Sequence, residues 1–122
     1  MEHRFNDMRK LIKSFGYAFS GIAYTTKTQL NFKIHLVAIV VVGLAGWYFQ
    51  LQASEWLWII LAIGLVLVTE LLNTAIEILV DLVSPGFNEQ AGRVKDVAAG
   101  AVVVAAIISV VIAAVIFFPK FI

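Results

Sequence analysis

The chain contains no cysteine, which removes both a disulfide framework and a thiolate metal site. It is also poor in charge. Only 14% of its 122 residues are Asp, Glu, Lys or Arg, where soluble domains usually carry about 25%. It lacks a Gly-x-x-x-x-Gly-Lys-Ser/Thr loop and a kinase-type glycine-rich loop, so any nucleotide site is of an unrelated type. The start lacks the charged, apolar, small-residue pattern of a cleavable signal, so the first apolar run is at most a signal-anchor. Net charge is only +1, and no nucleic-acid partner is expected.

What the chain does have is apolar surface. Hydrophobic residues make up 61% of it, and its mean hydropathy is +0.95. The length suits one domain and is too short for a membrane domain plus a soluble one, so residues 1–122 are read as a single integral-membrane domain. Three runs approach the ~20 residues needed to cross a bilayer core: 34–51, 56–83 and 97–118. The last has Ser109 as its one polar side chain. The expected fold class is therefore an all-α membrane protein with three transmembrane helices.

A further helix is expected over about 5–28. Phe5, Met8, Ile12, Phe15, Phe19 and Ile22 recur at spacings of three and four, with Arg9, Lys10, Lys13 and Tyr17 on the other side. Such an amphipathic helix lies in the membrane interface.

The basic residues set the orientation. Arg4, Arg9, Lys10, Lys13, Lys27 and Lys33 precede the first run, and Arg93 and Lys95 lie in the loop 84–96, whereas the loop 50–55 has no Lys or Arg. The positive-inside rule places the N-terminus and the loop 84–96 in the cytoplasm, and the C-terminus outside. Trp47, Tyr48, Trp56 and Trp58 flank the outer loop, as an aromatic belt does.

Against this background, Glu70, Asn73, Glu77 and Asp81 stand out. At 100° per residue they fall within a sector of about 80° on the second spanning helix. With Trp56 at the outer interface, Glu70 lies about 21 Å deep and Glu77 about 31 Å, near the inner boundary. Acids at bilayer depth are costly and mark function. The stripe connects a group at lipid depth with reactants in the cytoplasm.

The loop 84–96 adds a sharp Pro85-Gly86 turn and the Lys95-Asp96 pair. Asp96 is placed to cap the third spanning helix, and Lys95 to anchor at the interface. Ala98, Ala99, Gly100, Ala101, Ala105 and Ala106 form a small-residue surface, which favours close helix packing. Carboxylates with nearby lysines suit a magnesium-bound phosphate compound. On the residues alone, that reading stands level with a small oligomeric ion or proton channel and with a structural membrane subunit. Three spans cannot enclose a polar site by themselves, so a homo-oligomer is expected.

The segment Glu70-Leu-Leu-Asn73-Thr-Ala-Ile-Glu77-Ile-Leu-Val-Asp81, followed by Lys95-Asp96-Val-Ala-Ala-Gly-Ala-Val, resembles the prokaryotic diacylglycerol kinase family, which includes the undecaprenol kinases. The likeness runs from about Lys10 to Lys120. It implies a homotrimer in the bacterial cytoplasmic (inner) membrane, with active sites shared between subunits, that transfers the ATP γ-phosphate to a lipid hydroxyl with Mg²⁺. By the same resemblance Glu70 matches the general base, and Asn73 supports it. Glu77 matches a ligand of the nucleotide-bound metal. Lys10, Tyr17, Gly86, Phe87, Asn88, Lys95 and Asp96 match nucleotide-contacting positions. Gln29 stands where the family usually has a second metal-binding Glu; its carbonyl can ligate Mg²⁺ but brings no charge. Asn31, Lys33, His35 and the Phe117-Phe118-Pro119-Lys120 ending resemble the undecaprenol kinase branch. This implies a polyprenol acceptor, with diacylglycerol as the alternative. His35 is read either as a substrate contact or as a histidine snorkelling at the interface.

Overall fold

The computed structural model describes residues 2–122. These residues form four helices: α1 (Glu2–Thr28), α2 (Leu30–Tyr48), α3 (Ala53–Val83) and α4 (Glu89–Phe121). Helices α2, α3 and α4 are long and apolar enough to cross a membrane. Most of their large side chains face outward, among them Val37, Leu44, Leu61, Val103 and Val111. A water-soluble helical protein would bury these; lipid leaves them stable where they are.

Each expected run overlaps one of these helices, and all three helices begin earlier than the runs, but α2 stops at Tyr48, short of the expected end at Leu51, where the chain turns. Helix α2 begins at Leu30, straight after an extended Gln29. Helix α4 begins at Glu89, and Asn88 is its cap, its side chain accepting from the Ala91 N–H at 3.0 Å. The expectation that Asp96 caps this helix is therefore wrong. Asn88 satisfies one of the free N–H groups just over two turns earlier, and an exposed Arg93–Glu89 pair one turn apart follows it. The polar stretch before Val97 looked like loop but is helix.

The packing centres on α3 and α4, and α1 touches α2 and α3 only lightly. Helix α3 turns Ile59, Ala62, Val66, Glu70 and Thr74 inward, a spacing of three or four residues that defines one helical face. Of the small residues on α4, Ala98 and Ala105 are buried while Ala99, Gly100 and Ala101 are exposed. Two turns separate the buried pair, so the small surface narrows to one line against α3. There the Ser109 hydroxyl reaches the carbonyl oxygens of Ala62 across the helix pair (3.0 Å) and of Ala105 on its own helix (2.9 Å).

The α2–α3 turn is tight. Gln50 adopts a left-handed conformation (φ 51°), and the Leu51 N–H bonds back to the Gly46 carbonyl at 3.1 Å. Glu55 accepts from the Gln52 N–H at 3.0 Å and closes the start of α3. Lys120 pairs with Glu55 at 3.0 Å, fixing the end of α4 to the start of α3. Phe49 packs edge-on against Tyr48, Phe117 and Phe121. Of the four belt aromatics, Trp47, Tyr48 and Trp58 are exposed and Trp56 is half-buried.

Trp56 explains Gly46. A Cβ on Gly46 would lie 2.5 Å from the Trp56 ring, whereas one on Gly43 would meet nothing within 4 Å. Gly46→Ala is expected to destabilise the protein by about 1–3 kcal/mol through overpacking, and Gly43→Ala to show no such loss. Thermal unfolding in detergent checks the pair; equal midpoints would mean that the tryptophan moves aside freely.

Candidate active site

The inward face of α3 carries a carboxylate. Glu70 is 2% exposed, at mid-helix among Val66 and Thr74. Burial of an acid in a low-dielectric interior is unfavourable unless a donor meets it. The donor comes from α2: His35 Nε2 lies 3.1 Å from Glu70 Oε1. The Thr74 hydroxyl, one turn on, donates to the Glu70 backbone carbonyl at 3.0 Å and not to its side chain.

The next turns toward the α3–α4 loop hold a second pair. Asn73 Nδ2 donates to Glu77 Oε1 at 3.3 Å. That bond leaves Asn73 Oδ1 buried without a partner. An orphaned buried acceptor is rare and calls for a donor or a cation. One turn further, Asp81 accepts from Lys95 of α4. The stripe thus runs from a buried acid (Glu70), through a half-buried amide and acid (Asn73, Glu77), to an exposed ion pair.

The remaining predicted residues are not drawn into this row. Lys10 and Tyr17 are exposed on α1, and Gln29 is half-buried at the α1–α2 junction. Gly86 and Phe87 lie exposed in the α3–α4 loop; Asn88 is occupied as a cap, and Asp96 is exposed on α4. Among the described residues no three His, Asp or Glu side chains gather as a metal cage. Mg²⁺ does not require one, because it takes one or two carboxylates and completes its octahedron with phosphate oxygens and water. Glu77 and the free Asn73 oxygen are hard donors of that kind, so the residues fit the ion.

An aliphatic cleft of about 210 Å³ opens between α2, α3 and α4, lined by residues such as Ile39, Val42, Ile63, Val66 and Ala106. His35 is part of its wall. The same imidazole therefore borders both the cleft and the carboxylate.

The contact of His35 with Glu70 was not foreseen. The imidazole turns inward to the acid, which a snorkelling side chain would not do. A geometric signal existed in the chain. Counting back equally from the α2–α3 turn sets His35 level with Val66, one helical turn from Glu70.

Three helices long and apolar enough to cross a membrane, one of them with an acid on its buried face, define a multi-pass membrane protein. The family model described as prokaryotic diacylglycerol kinase matches residues 16–117, which takes in every candidate site residue except Lys10. The chain belongs to that family: it is a membrane lipid kinase, with ATP as co-substrate. It is 44% identical over 119 residues to the undecaprenol kinase of Bacillus subtilis, covering 98% of this chain and 96% of that protein. It is 42% identical to the diacylglycerol kinase of Synechocystis over 89% of this chain and 63% of that protein. It is 29% identical to the diacylglycerol kinase of Escherichia coli K12, over 84% of each. The channel and structural-subunit readings lapse with this membership.

Proposed function

We propose that the protein is an undecaprenol kinase that transfers the γ-phosphate of Mg²⁺-ATP to the terminal hydroxyl of a polyprenol. The observation that carries this reading is the 44% identity, over nearly the full length of both chains, with the B. subtilis undecaprenol kinase. Diacylglycerol is the second acceptor, supported by the 42% identity with the Synechocystis enzyme.

Glu70 is the general base. The acceptor hydroxyl comes from the lipid side, where the aliphatic cleft ends at His35. Its O–H bond breaks toward the Glu70 carboxylate as its oxygen attacks the γ-phosphorus. The bond from the γ-phosphorus to the β–γ bridging oxygen breaks, and ADP leaves. Glu77 would hold Mg²⁺ through its carboxylate, with the oxygens of Asn73 and Gln29 as neutral ligands. Bound Mg²⁺ supplies charge neutralisation at the β- and γ-phosphates. Lys95 is kept near the site by Asp81. An exposed pair of this kind holds weakly, so phosphate oxygens can replace the carboxylate. Lys10, Tyr17, the turn at Gly86, Phe87 and Asn88, and Asp96 complete the nucleotide contacts.

In this reading residues 1–122 form one domain. Helix α1 is an amphipathic surface helix on the cytoplasmic face of the inner membrane, with the N-terminus inside and the C-terminus outside. The exposure of Lys10, Tyr17 and Asp96 in a single protomer supports sites completed by neighbouring subunits in a homotrimer.

Purified protein in mixed micelles with undecaprenol, ATP and Mg²⁺ should form ADP and undecaprenyl phosphate in equal amounts. ADP without a phosphorylated lipid would overturn the assignment. Gln29→Glu adds a charged ligand, and should lower the Mg²⁺ concentration that half-saturates the reaction by about tenfold, the scale on which metal sites respond to ligand-shell changes. An unchanged Mg²⁺ dependence would place residue 29 outside the metal site.

A further inference from the structure

We propose that His35 is the positioning residue for Glu70, holding one carboxylate oxygen so that the other faces the acceptor hydroxyl. This rests on the reading of Glu70 as the base.

The carboxylate has few donors to choose from. Among the described residues His35 supplies the one side-chain nitrogen within hydrogen-bond reach of it, at 3.1 Å. The amide of Asn73 is committed to Glu77. The hydroxyl of Thr74 is committed to a backbone oxygen. A carboxylate offers about four acceptor sites on two oxygens. The imidazole engages Oε1 and leaves Oε2 available. With Nε2 carrying the proton, the bond is charge-assisted, stronger and more directional than a neutral one.

The support behind His35 is rigid. It lies in the second turn of α2, three residues after Phe32, which is 2% exposed. Residues packed on regular helices hold reactive groups more accurately than loops do. The imidazole is itself 25% exposed and forms part of the cleft wall. A hydroxyl reaching Glu70 from the cleft therefore passes the group that orients the base. The contact links two spanning helices at the depth of the reaction.

The test is a set of variants assayed for phosphate transfer to undecaprenol. His35→Ala should lower kcat about ten- to a hundredfold, the scale of one lost charge-assisted hydrogen bond, with KM for Mg²⁺-ATP within about twofold of wild type. His35→Gln, whose amide can donate from a similar position, should recover part of the loss. In a Glu70→Gln background, His35→Ala should cost nothing further, because groups that act as a unit are not additive. Full activity in His35→Ala, or equal losses in both backgrounds, would overturn the positioning role. Near wild-type turnover in Glu70→Gln alone would overturn the base assignment instead, so the two failures are distinguishable. If His35→Ala does not fold, infrared spectra of His35→Gln still decide. The carboxyl band that disappears in Glu70→Gln should shift when the donor changes, and an unmoved band would mean that no bond joins the pair.

Discussion

Glu70→Gln is expected to reduce phosphate transfer by about 10²–10⁴-fold, the usual contribution of a general base, while Mg²⁺-ATP still binds. The substitution keeps shape and volume, and Gln can still accept a hydrogen bond from His35 Nε2 through its carbonyl oxygen. What it loses is the ability to take a proton. The side chain is 3% exposed, so bulk water or buffer cannot readily substitute for it. Nucleotide affinity should be preserved, because Glu77 and Lys95 lie about two turns or more away, toward the α3–α4 loop. Turnover in purified protein, set beside nucleotide binding by equilibrium dialysis, separates the two effects. A loss of binding that matched the loss of turnover would make Glu70 part of the nucleotide site, and near-normal turnover would end its role as base.

Glu77→Gln should act on the other reactant. Its carboxylate is oriented by Asn73 Nδ2 at 3.3 Å, and that amide leaves its own oxygen buried without a partner. A carboxylate oxygen is the kind of donor a hard cation takes. Gln at position 77 preserves one oxygen but removes the charge. In the proposed site Asn73 and Gln29 are neutral, so Glu77 is the one charged ligand. The apparent Mg²⁺ affinity should therefore fall by at least about tenfold, and saturating Mg²⁺ should restore much of the rate. Binding of Mn²⁺ followed by electron paramagnetic resonance, with and without ATP, reads this without relying on activity. Unchanged Mn²⁺ affinity would remove Glu77 from the metal site.

Periodicity made much of this architecture legible in the chain. The inward face of α3 repeats every three or four residues, and apolar runs of sufficient length announce α2, α3 and α4. Polar helix ends were harder. Residues 89–96 read as a loop because they are charged and contain Gly92, yet the Asn88 cap starts the helix there. The small-residue surface was visible as composition, but helical rotation buries only Ala98 and Ala105 of it. Glu70, Asn73, Glu77 and Asp81 were found because neighbours on one helix lie close in sequence. His35 was missed as their partner because 35 residues and a turn separate it from Glu70, and only the packing of α2 on α3 brings the two together. Lys10, Tyr17 and Gln29 follow the same logic one level up, if their partners lie on another subunit.

The most direct measurement is phosphate transfer from γ-labelled ATP, with undecaprenol and diacylglycerol offered together in one micelle at equal mole fraction with Mg²⁺. The account predicts label in undecaprenyl phosphate well in excess of phosphatidic acid. Label mainly in phosphatidic acid would contradict the assignment of the acceptor, and label in neither lipid would contradict the assembled site itself.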